Sequence, residues 1–132
     1  MTKITSIEKE AIFPIGEPVK NEYFVGTAYL EMLLTDSALN APIGNVTFEP
    51  GARNNWHTHA AGQILLVTAG EGWYQEEGKP GQLLKAGDVV NIPAGVKHWH
   101  GAVKDSWFVH LALTPGETTW LEPVSEEDYQ QL

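Results

Sequence analysis

The stretch GARNNWHTHAAGQILLVTAG, residues 51–70, decides the fold of this chain. If WHTH forms a strand, His57 and His59 point to the same face, because side chains alternate along a strand. Residues 60–62 then turn the chain, and Gln63 opens the apolar run ILLV, which we expect to return as the second strand of a hairpin. The pattern therefore predicts two imidazoles and one amide directed at one point.

A second histidine segment follows in GDVVNIPAGVKHWHGA, residues 87–102. Proline and glycine at 93–95 predict a turn, and His98 and His100 share a face of the next strand because they are two residues apart. The fifth histidine of the chain, His110, comes shortly after this segment. Scattered structural histidines would rarely fall in this way, so we expect one site built from both segments.

The spacing of these two segments resembles the two motifs of the cupin family. The first is G-x5-H-x-H-x3-Q-x6-G, and the second is G-x5-P-x-G-x2-H. Two positions depart from the family pattern: Gln63 replaces the usual glutamate, and Ala102 replaces the asparagine that often ends the second motif. Short strands, frequent turns and 13 glycines already favour an antiparallel sandwich or barrel. The resemblance narrows this to an all-β, small cupin jelly-roll (double-stranded β-helix) barrel with a cavity at one end.

Length and composition fit one domain. The chain has 132 residues, so we assign residues 1–132 to a single cupin domain, with its barrel core at about 21–124. It has no cysteine, so a metal would be held by nitrogen and oxygen. The formal net charge is −9, with scattered lysines and arginines, so we do not expect nucleic acid as a partner. Without a signal sequence or a bilayer-length apolar run, we expect no membrane partner and a cytoplasmic location.

The rest of the chain predicts further strands and one helix. Residues 1–22, with Ile4, Ile7 and Ile12 among polar residues, predict a short strand and a loop. Strand-forming residues predict further strands at the following places: 23–35, 45–49, 72–77, 89–93 and 107–113. A hairpin turn is expected at 69–71. Ser125 before three acidic residues predicts a short C-terminal helix.

The run WFVHLAL, residues 107–113, is apolar on both faces. One face would line the barrel, and the other would need a cover. We expect a second copy of the chain to supply it, in a homodimer or homotetramer.

The resemblance to metal-binding cupins implies one divalent metal ion held by His57, His59, Gln63 and His98. These donors suit zinc, iron, nickel, cobalt or manganese. Glutamine in place of glutamate removes one negative charge, which makes the ion a stronger Lewis acid and disfavours a ferric state. We therefore favour non-redox chemistry over oxygen activation. A cupin without metal, in which the histidines form a hydrogen-bonded core, is the competing interpretation.

Three segments carry a closer resemblance: VTFEPGAR at 46–53, WHTH at 56–59 with GQ at 62–63, and GVKHWHGA at 95–102. They resemble small bacterial manganese-dependent cupins that include hydroxynitrile lyases. This resemblance implies manganese as the cofactor, a small cyanohydrin as the substrate, and His100 and His110 as catalytic histidines, with His100 as the base. His100 and His110 could instead orient the ligands. The chain could also be a sugar-acid isomerase, a dioxygenase, or a cupin that binds a small ligand without catalysis.

Residues near the motifs carry weaker expectations. Four tryptophans are predicted to pack in the core or at an interface: Trp56, Trp73, Trp99 and Trp107. Arg53 could meet an anionic substrate or lie on the surface. Val46 and Thr114, which flank the motif strands, are candidates for the pocket lining.

Overall fold

The computed structural model describes residues 7–132, which form twelve strands, a helical turn at 7–10 and one C-terminal helix. None of the described helices is long and apolar enough to cross a bilayer. The strands are β1 (Glu17–Pro18), β2 (Phe24–Val25), β3 (Ala28–Leu34), β4 (Ile43–Phe48), β5 (Arg53–Asn54), β6 (His57–His59), β7 (Gln63–Glu76), β8 (Gln82–Lys85), β9 (Val89–Ile92), β10 (His98–Ala102), β11 (Phe108–Leu113) and β12 (Thr118–Trp120). The helix, α1, covers Glu126–Gln130.

The strands form two antiparallel sheets that share β7 and curl into a jelly-roll barrel. The first sheet has the order β1-β3-β4-β11-β7-β9. In the second, β7 lies between β8 and β10, and β10 pairs with both β5 and β6. Strands β2 and β12 extend it beyond β5 and β6. The predicted all-β fold with a short terminal helix is confirmed, and all five predicted strand regions contain strands.

The predicted hairpin turn at 69–71 is wrong, because β7 runs through it as one strand of 14 residues. Its first half pairs with β9 and β11, and its second half pairs with β8 and β10. Gly70 lies at the change of sheet with φ of 72°, and a Cβ there would overlap the backbone carbonyl of Trp107. The glycine therefore makes a corner within one strand.

Two further local predictions are corrected. Strand β6 pairs with β10 and β12 rather than with β7, so the turn at 60–62 carries the chain to the other sheet instead of closing a hairpin. Near the start, residues 7–10 are helical where a strand was predicted. The Ala11 N–H donates to the carbonyl of Ile7 at 2.8 Å, and Ile7 is buried against Ala69 and Val109. Ile4 lies outside the described residues.

The C-terminal helix packs under the second sheet. Ser125 Oγ accepts from the Asp128 N–H at 3.1 Å, which confirms the predicted N-cap. Tyr129 is buried, and its hydroxyl donates to the Ala102 carbonyl at 2.7 Å. Neither expectation for Arg53 holds: its guanidinium is buried over the Tyr129 ring, 4.3 Å from the centroid. The reason is that the Arg53 side chain extends from the face of β5 that packs against the helix α1, and this face points away from the cavity.

The tryptophans near the motifs pack as predicted. Trp99 is fully buried with Val124 and Tyr129, and Trp56 and Trp73 pack partly buried against this cluster. Trp107 packs against the cluster around Ile7. These four rings therefore pack the N-terminal and C-terminal segments against the outer faces of the sheets.

The outer face of β11 carries apolar side chains that the described residues leave partly exposed to solvent. Leu111 and Leu113 are half-buried, and they lie opposite Leu66 and Ile64 of β7. Ile64 is 39% exposed. A second copy of the chain covering this face stays a prediction.

Two glycines with similar backbone conformations test the corner in β7. Gly70→Ala is expected to lower the free energy of unfolding by well over 3 kcal/mol, because the new methyl group meets the Trp107 backbone. Gly78→Ala, at φ of 80° with open space around it, is expected to cost about 1–2 kcal/mol from conformation alone. Urea unfolding of both variants measures the difference. Equal losses would contradict a packed corner at Gly70.

Candidate metal centre

Three imidazoles meet at the inner side of the second sheet. Strand pairing places His57 opposite His98, and their ring centroids are 4.2 Å apart. His59 follows two residues later on the same face of β6, 4.8 Å from the His57 ring and 5.2 Å from the His98 ring. All three side chains are buried. The prediction that the two histidine segments build one cluster is confirmed in geometry.

Two of these rings are held by backbone carbonyls. His57 Nδ1 lies 2.7 Å from the carbonyl oxygen of Asn55, and His98 Nδ1 lies 2.9 Å from that of Val96. A carbonyl oxygen can only accept, so each Nδ1 carries the proton and donates it. In both rings the other nitrogen, Nε2, is therefore left with a free lone pair.

His59 and Gln63 are held by threonine hydroxyls. His59 Nδ1 lies 2.9 Å from Thr118 Oγ1, and Gln63 Nε2 donates to Thr114 Oγ1 at 2.8 Å. This hydrogen bond orients the Gln63 amide so that its oxygen, Oε1, is left without a partner. His59 Nε2, His98 Nε2 and Gln63 Oε1 are buried without a hydrogen-bond partner.

Buried polar atoms without partners are uncommon, because each loses its hydration without compensation. Gln63 Oε1 and His98 Nε2 offer lone pairs, and His59 Nε2 does the same when its Nδ1 donates to the Thr118 hydroxyl. A divalent cation would satisfy them at once, and imidazole with an amide oxygen is a suitable ligand set for first-row metals. The residues present therefore fit a metal ion.

Distance alone favours a different trio. The nitrogens offered by His57, His98 and His100 lie within 4.8 Å of one another, so these three residues could hold a metal ion. His59, which the sequence suggested as a ligand, is not in this group, and His100, which it suggested as a base, is. All of the six predicted site residues are nevertheless buried and close together in this part of the barrel.

His100 belongs to a second hydrogen-bonded network. His110 Nδ1 lies 3.2 Å from the carbonyl of Leu111, so it donates there and leaves Nε2 as an acceptor. His100 Nδ1, 3.1 Å from that Nε2, is then the donor, and His100 Nε2 keeps the lone pair. The Asn54 amide nitrogen lies 3.3 Å from His100 Nε2, and Asn54 Oδ1 accepts from the His100 backbone N–H at 3.0 Å.

Burial keeps all five histidines neutral by lowering the pKa of each ring, because a charged imidazole loses its hydration inside the protein. The pKa of His59 and the pKa of His110 fall to about 4. The pKa of His98 is lowered, and the pKa values of His57 and His100 fall well below the usual range. Nearby imidazoles act in the same direction on His57, His59 and His100. Neutral rings can serve as ligands or proton acceptors.

A cavity of about 340 Å³ is lined by His57, His59, Gln63, His100 and His110, whereas His98 is not part of the lining. Its apolar lining includes Phe24, Leu30, Met32, Val46, Ala112 and Trp120. The expectation that Val46 and Thr114 line the pocket is confirmed. Among the described residues, no aspartate, glutamate, lysine or arginine lines the cavity. The cavity is thus of a size for a small molecule and carries no fixed counter-charge.

Among the cavity residues missed from the sequence, three contact the histidines: Asn54, Thr118 and Trp120. Asn54 lies three residues before His57, inside the first motif, and its polarity in a buried segment was an available signal. Thr118 and Trp120 pair with His59 and His57 through β12, about sixty residues later in the chain. Nothing in the local sequence marks that pairing.

The chain belongs to the cupin family: the family model described as a cupin domain matches residues 44–118. Over 116 residues the chain is 45% identical to an (R)-mandelonitrile lyase of Granulicella tundricola, covering 83% of this chain and 88% of that protein. The crystal structure of a cupin-like protein of Thermotoga maritima superposes with a TM-score of 0.88 at 46% identity, covering 92% of this chain and 96% of that one. The predicted family is confirmed.

A shorter similarity links the chain to a second enzyme. Over 48 residues it is 44% identical to an acireductone dioxygenase of Trichormus variabilis, covering 33% of this chain and 26% of that protein.

The metal-free protein is expected to lose stability as pH falls from about 6.5 to 4. His59 and His110 bind protons near pH 6.5 when unfolded but only near pH 4 when folded, so acid favours the unfolded state. The loss approaches about 3 kcal/mol per histidine at pH 4. Urea unfolding of chelator-treated protein across this range measures it, and His110→Asn should flatten the slope. A constant free energy of unfolding would contradict neutral, buried rings.

Proposed function

We propose that this chain is a metal-dependent lyase that cleaves a small cyanohydrin into a carbonyl compound and cyanide. The observation that carries this proposal is the set of buried, unpartnered atoms on His59, Gln63 and His98, next to a pair of neutral histidines in an apolar cavity. Similarity to the (R)-mandelonitrile lyase over most of both chains supports the same activity.

We assign one divalent ion, manganese in preference to iron, zinc, nickel or cobalt, to His57, His59, Gln63 and His98. The competing trio of His57, His98 and His100 is closer in distance. However, His100 already uses Nδ1 toward His110 and has the Asn54 amide beside Nε2. His59 Nε2 and Gln63 Oε1 have no partner. A ligand set should use the atoms that are left unsatisfied, because these gain most from the ion.

When bound, the divalent ion would act as a Lewis acid that lowers the pKa of the substrate hydroxyl. His100 lines the cavity, and its Nε2 accepts the hydroxyl proton with the lone pair that the Asn54 amide contacts at 3.3 Å before substrate binds. The carbon–carbon bond to the nitrile carbon then breaks, its electron pair leaves with cyanide, and the oxygen forms a carbonyl. The protonated imidazole of His100 returns the proton to cyanide, so atoms and charge balance.

His110 and Asn54 prepare His100 for this proton transfer. His110 Nε2 accepts the Nδ1 proton of His100 at 3.1 Å, which fixes the tautomer with the lone pair on Nε2 and stabilises the ring once it is protonated. The Asn54 side chain holds the His100 backbone N–H at 3.0 Å. His100 is therefore held through its ring by His110 and through its backbone N–H by Asn54.

The cavity favours a neutral substrate. No described acidic or basic side chain lines it, and its histidines are neutral because burial lowers the pKa of each ring. A sugar acid would meet the proposed metal ion as its cationic partner but no arginine or lysine to bind its carboxylate as well. This disfavours a sugar-acid isomerase.

A dioxygenase is the second candidate, because of the short similarity to acireductone dioxygenase. Glutamine in place of an anionic ligand disfavours ferric iron, so we place a dioxygenase below the lyase. Oxygen consumption by iron-loaded protein would favour it. A cupin that only binds a small ligand would show stabilisation by that ligand without turnover.

Two histidine variants separate the proposed roles. His59→Ala should lose bound manganese, because it removes a ligand, whereas His100→Ala should keep the metal and lose aldehyde release by about 100-fold or more. Metal content by elemental analysis and aldehyde release from (R)-mandelonitrile are the two measurements. Loss of metal in His100→Ala together with retention of metal in His59→Ala would contradict the proposal, because it would make His100 a ligand and leave His59 outside the metal site.

The activity itself is tested on wild-type protein loaded with manganese. Aldehyde release from mandelonitrile should exceed that of chelator-treated protein and of His100→Ala at equal concentration. Equal rates in all three samples would overturn the lyase proposal. Both enantiomers of the substrate should be compared, since the Granulicella tundricola relative is named for the (R) form.

A further inference from the structure

The C-terminal segment covers the strand that carries two of the proposed ligands. Strand β12 pairs with β6 so that Thr118 lies opposite His59 and Trp120 lies opposite His57. Backbone hydrogen bonds continue on both sides of this pairing, from Ala60 N–H to the carbonyl of residue 117 at 2.9 Å and from Trp56 N–H to that of residue 122 at 3.0 Å. Residues 117–122, here called the C-terminal strap, thus form the outer neighbour of β6.

The His59 ring differs from the other two proposed ligand rings in how it is held. The carbonyls that hold His57 and His98 come from Asn55 and Val96, each two residues earlier in the same segment. The group that holds His59 is the hydroxyl of Thr118, 59 residues away in the chain. His59 is therefore the one of the three whose orientation depends on a distant part of the chain.

We propose that Thr118 is a positioning residue that fixes the tautomer and the orientation of His59, so that metal affinity depends on the docked C-terminal strap. This inference rests on the proposed metal site. In this assignment His59 gives its Nδ1 proton to the hydroxyl, 2.9 Å away, so that Nε2 keeps its lone pair, as does Gln63 Oε1, another buried acceptor without a partner. Without the hydroxyl, the buried Nδ1–H has no partner and the other tautomer becomes competitive.

The strap is itself held at its C-terminal end. Lys97 Nζ lies 2.8 Å from the Glu122 carboxylate at the end of the strap. Beyond it, Arg53 Nη2 donates to the Val124 carbonyl at 3.2 Å and pairs with the Glu126 carboxylate at 2.9 Å. These contacts explain why the buried Arg53 side chain binds the C-terminal segment and does not line the cavity.

Trp120 adds a packing contact to the hydrogen bond. Its ring lies 4.6 Å from the His57 ring, and it also packs against Tyr23 and Phe24. The strap thereby contacts two of the three proposed ligand rings. Its displacement would loosen His59 through the lost hydrogen bond and His57 through lost packing.

Three variants of one strand test the proposal. Thr118→Val keeps the shape but removes the acceptor, Thr118→Ser keeps the hydroxyl, and Thr119→Val changes the exposed neighbour on the opposite face. The dissociation constant for Mn²⁺, measured by chelator competition, should rise about 10- to 100-fold in Thr118→Val. It should stay within about threefold of wild type in the other two variants.

A second measurement distinguishes positioning from general loosening. Nitrogen NMR of the His59 ring in metal-free protein should show the Nδ1–H tautomer in wild type and in Thr118→Ser. Thr118→Val should shift this ring toward Nε2–H or a mixture. Urea unfolding of the metal-free variants is the folding control, and all three are expected to unfold in a cooperative transition.

The outcomes separate this inference from the proposed function. If wild-type protein binds no divalent metal, the proposed site itself fails, and the inference fails with it. If wild type binds Mn²⁺ but Thr118→Val binds equally tightly, only the positioning role of Thr118 is overturned. Equal weakening in Thr118→Ser and Thr118→Val would overturn it as well, because the serine hydroxyl should rescue binding.

Discussion

The site depends on one repeated constraint: Nδ1 of each of three imidazoles is committed to an oxygen on the outer side of the ring. Two of these oxygens are backbone carbonyls and the third is the Thr118 hydroxyl. Because carbonyls only accept, the tautomer of His57 and of His98 is set before any ligand arrives. The opposite nitrogens are directed inward, and those of His59 and His98 are buried without a hydrogen-bond partner.

The fold supplies this constraint by joining two sheets through one strand. Gly70 lets β7 change sheets without a loop, so Gln63 at its start can face histidines carried by the other sheet. The antiparallel pairing of β6 with β10 then sets His57 against His98. A one-residue slip of β6 in that pairing would turn His57 and His59 to the opposite face, so the register is part of the site.

Much of the site followed from local periodicity, and the rest required long-range pairing. The period of two placed His57 with His59 and His98 with His100 on common faces, and the turn at 93–95 was predicted correctly. Gly70 was misread because a glycine with positive φ serves a tight turn and a strand corner equally well. The roles of Arg53 and Thr118 were hidden because their partners lie about sixty to seventy residues away.

The central claim is that the inward-facing donor atoms of His57, His59, Gln63 and His98 together form one metal site. Anomalous diffraction from crystals of manganese-loaded protein tests it most directly. The expected result is a single peak within bonding distance of three Nε2 atoms and of Gln63 Oε1, with every Nδ1 still on its oxygen. A peak held by His100 in place of His59, or no peak in this cluster, would contradict the account.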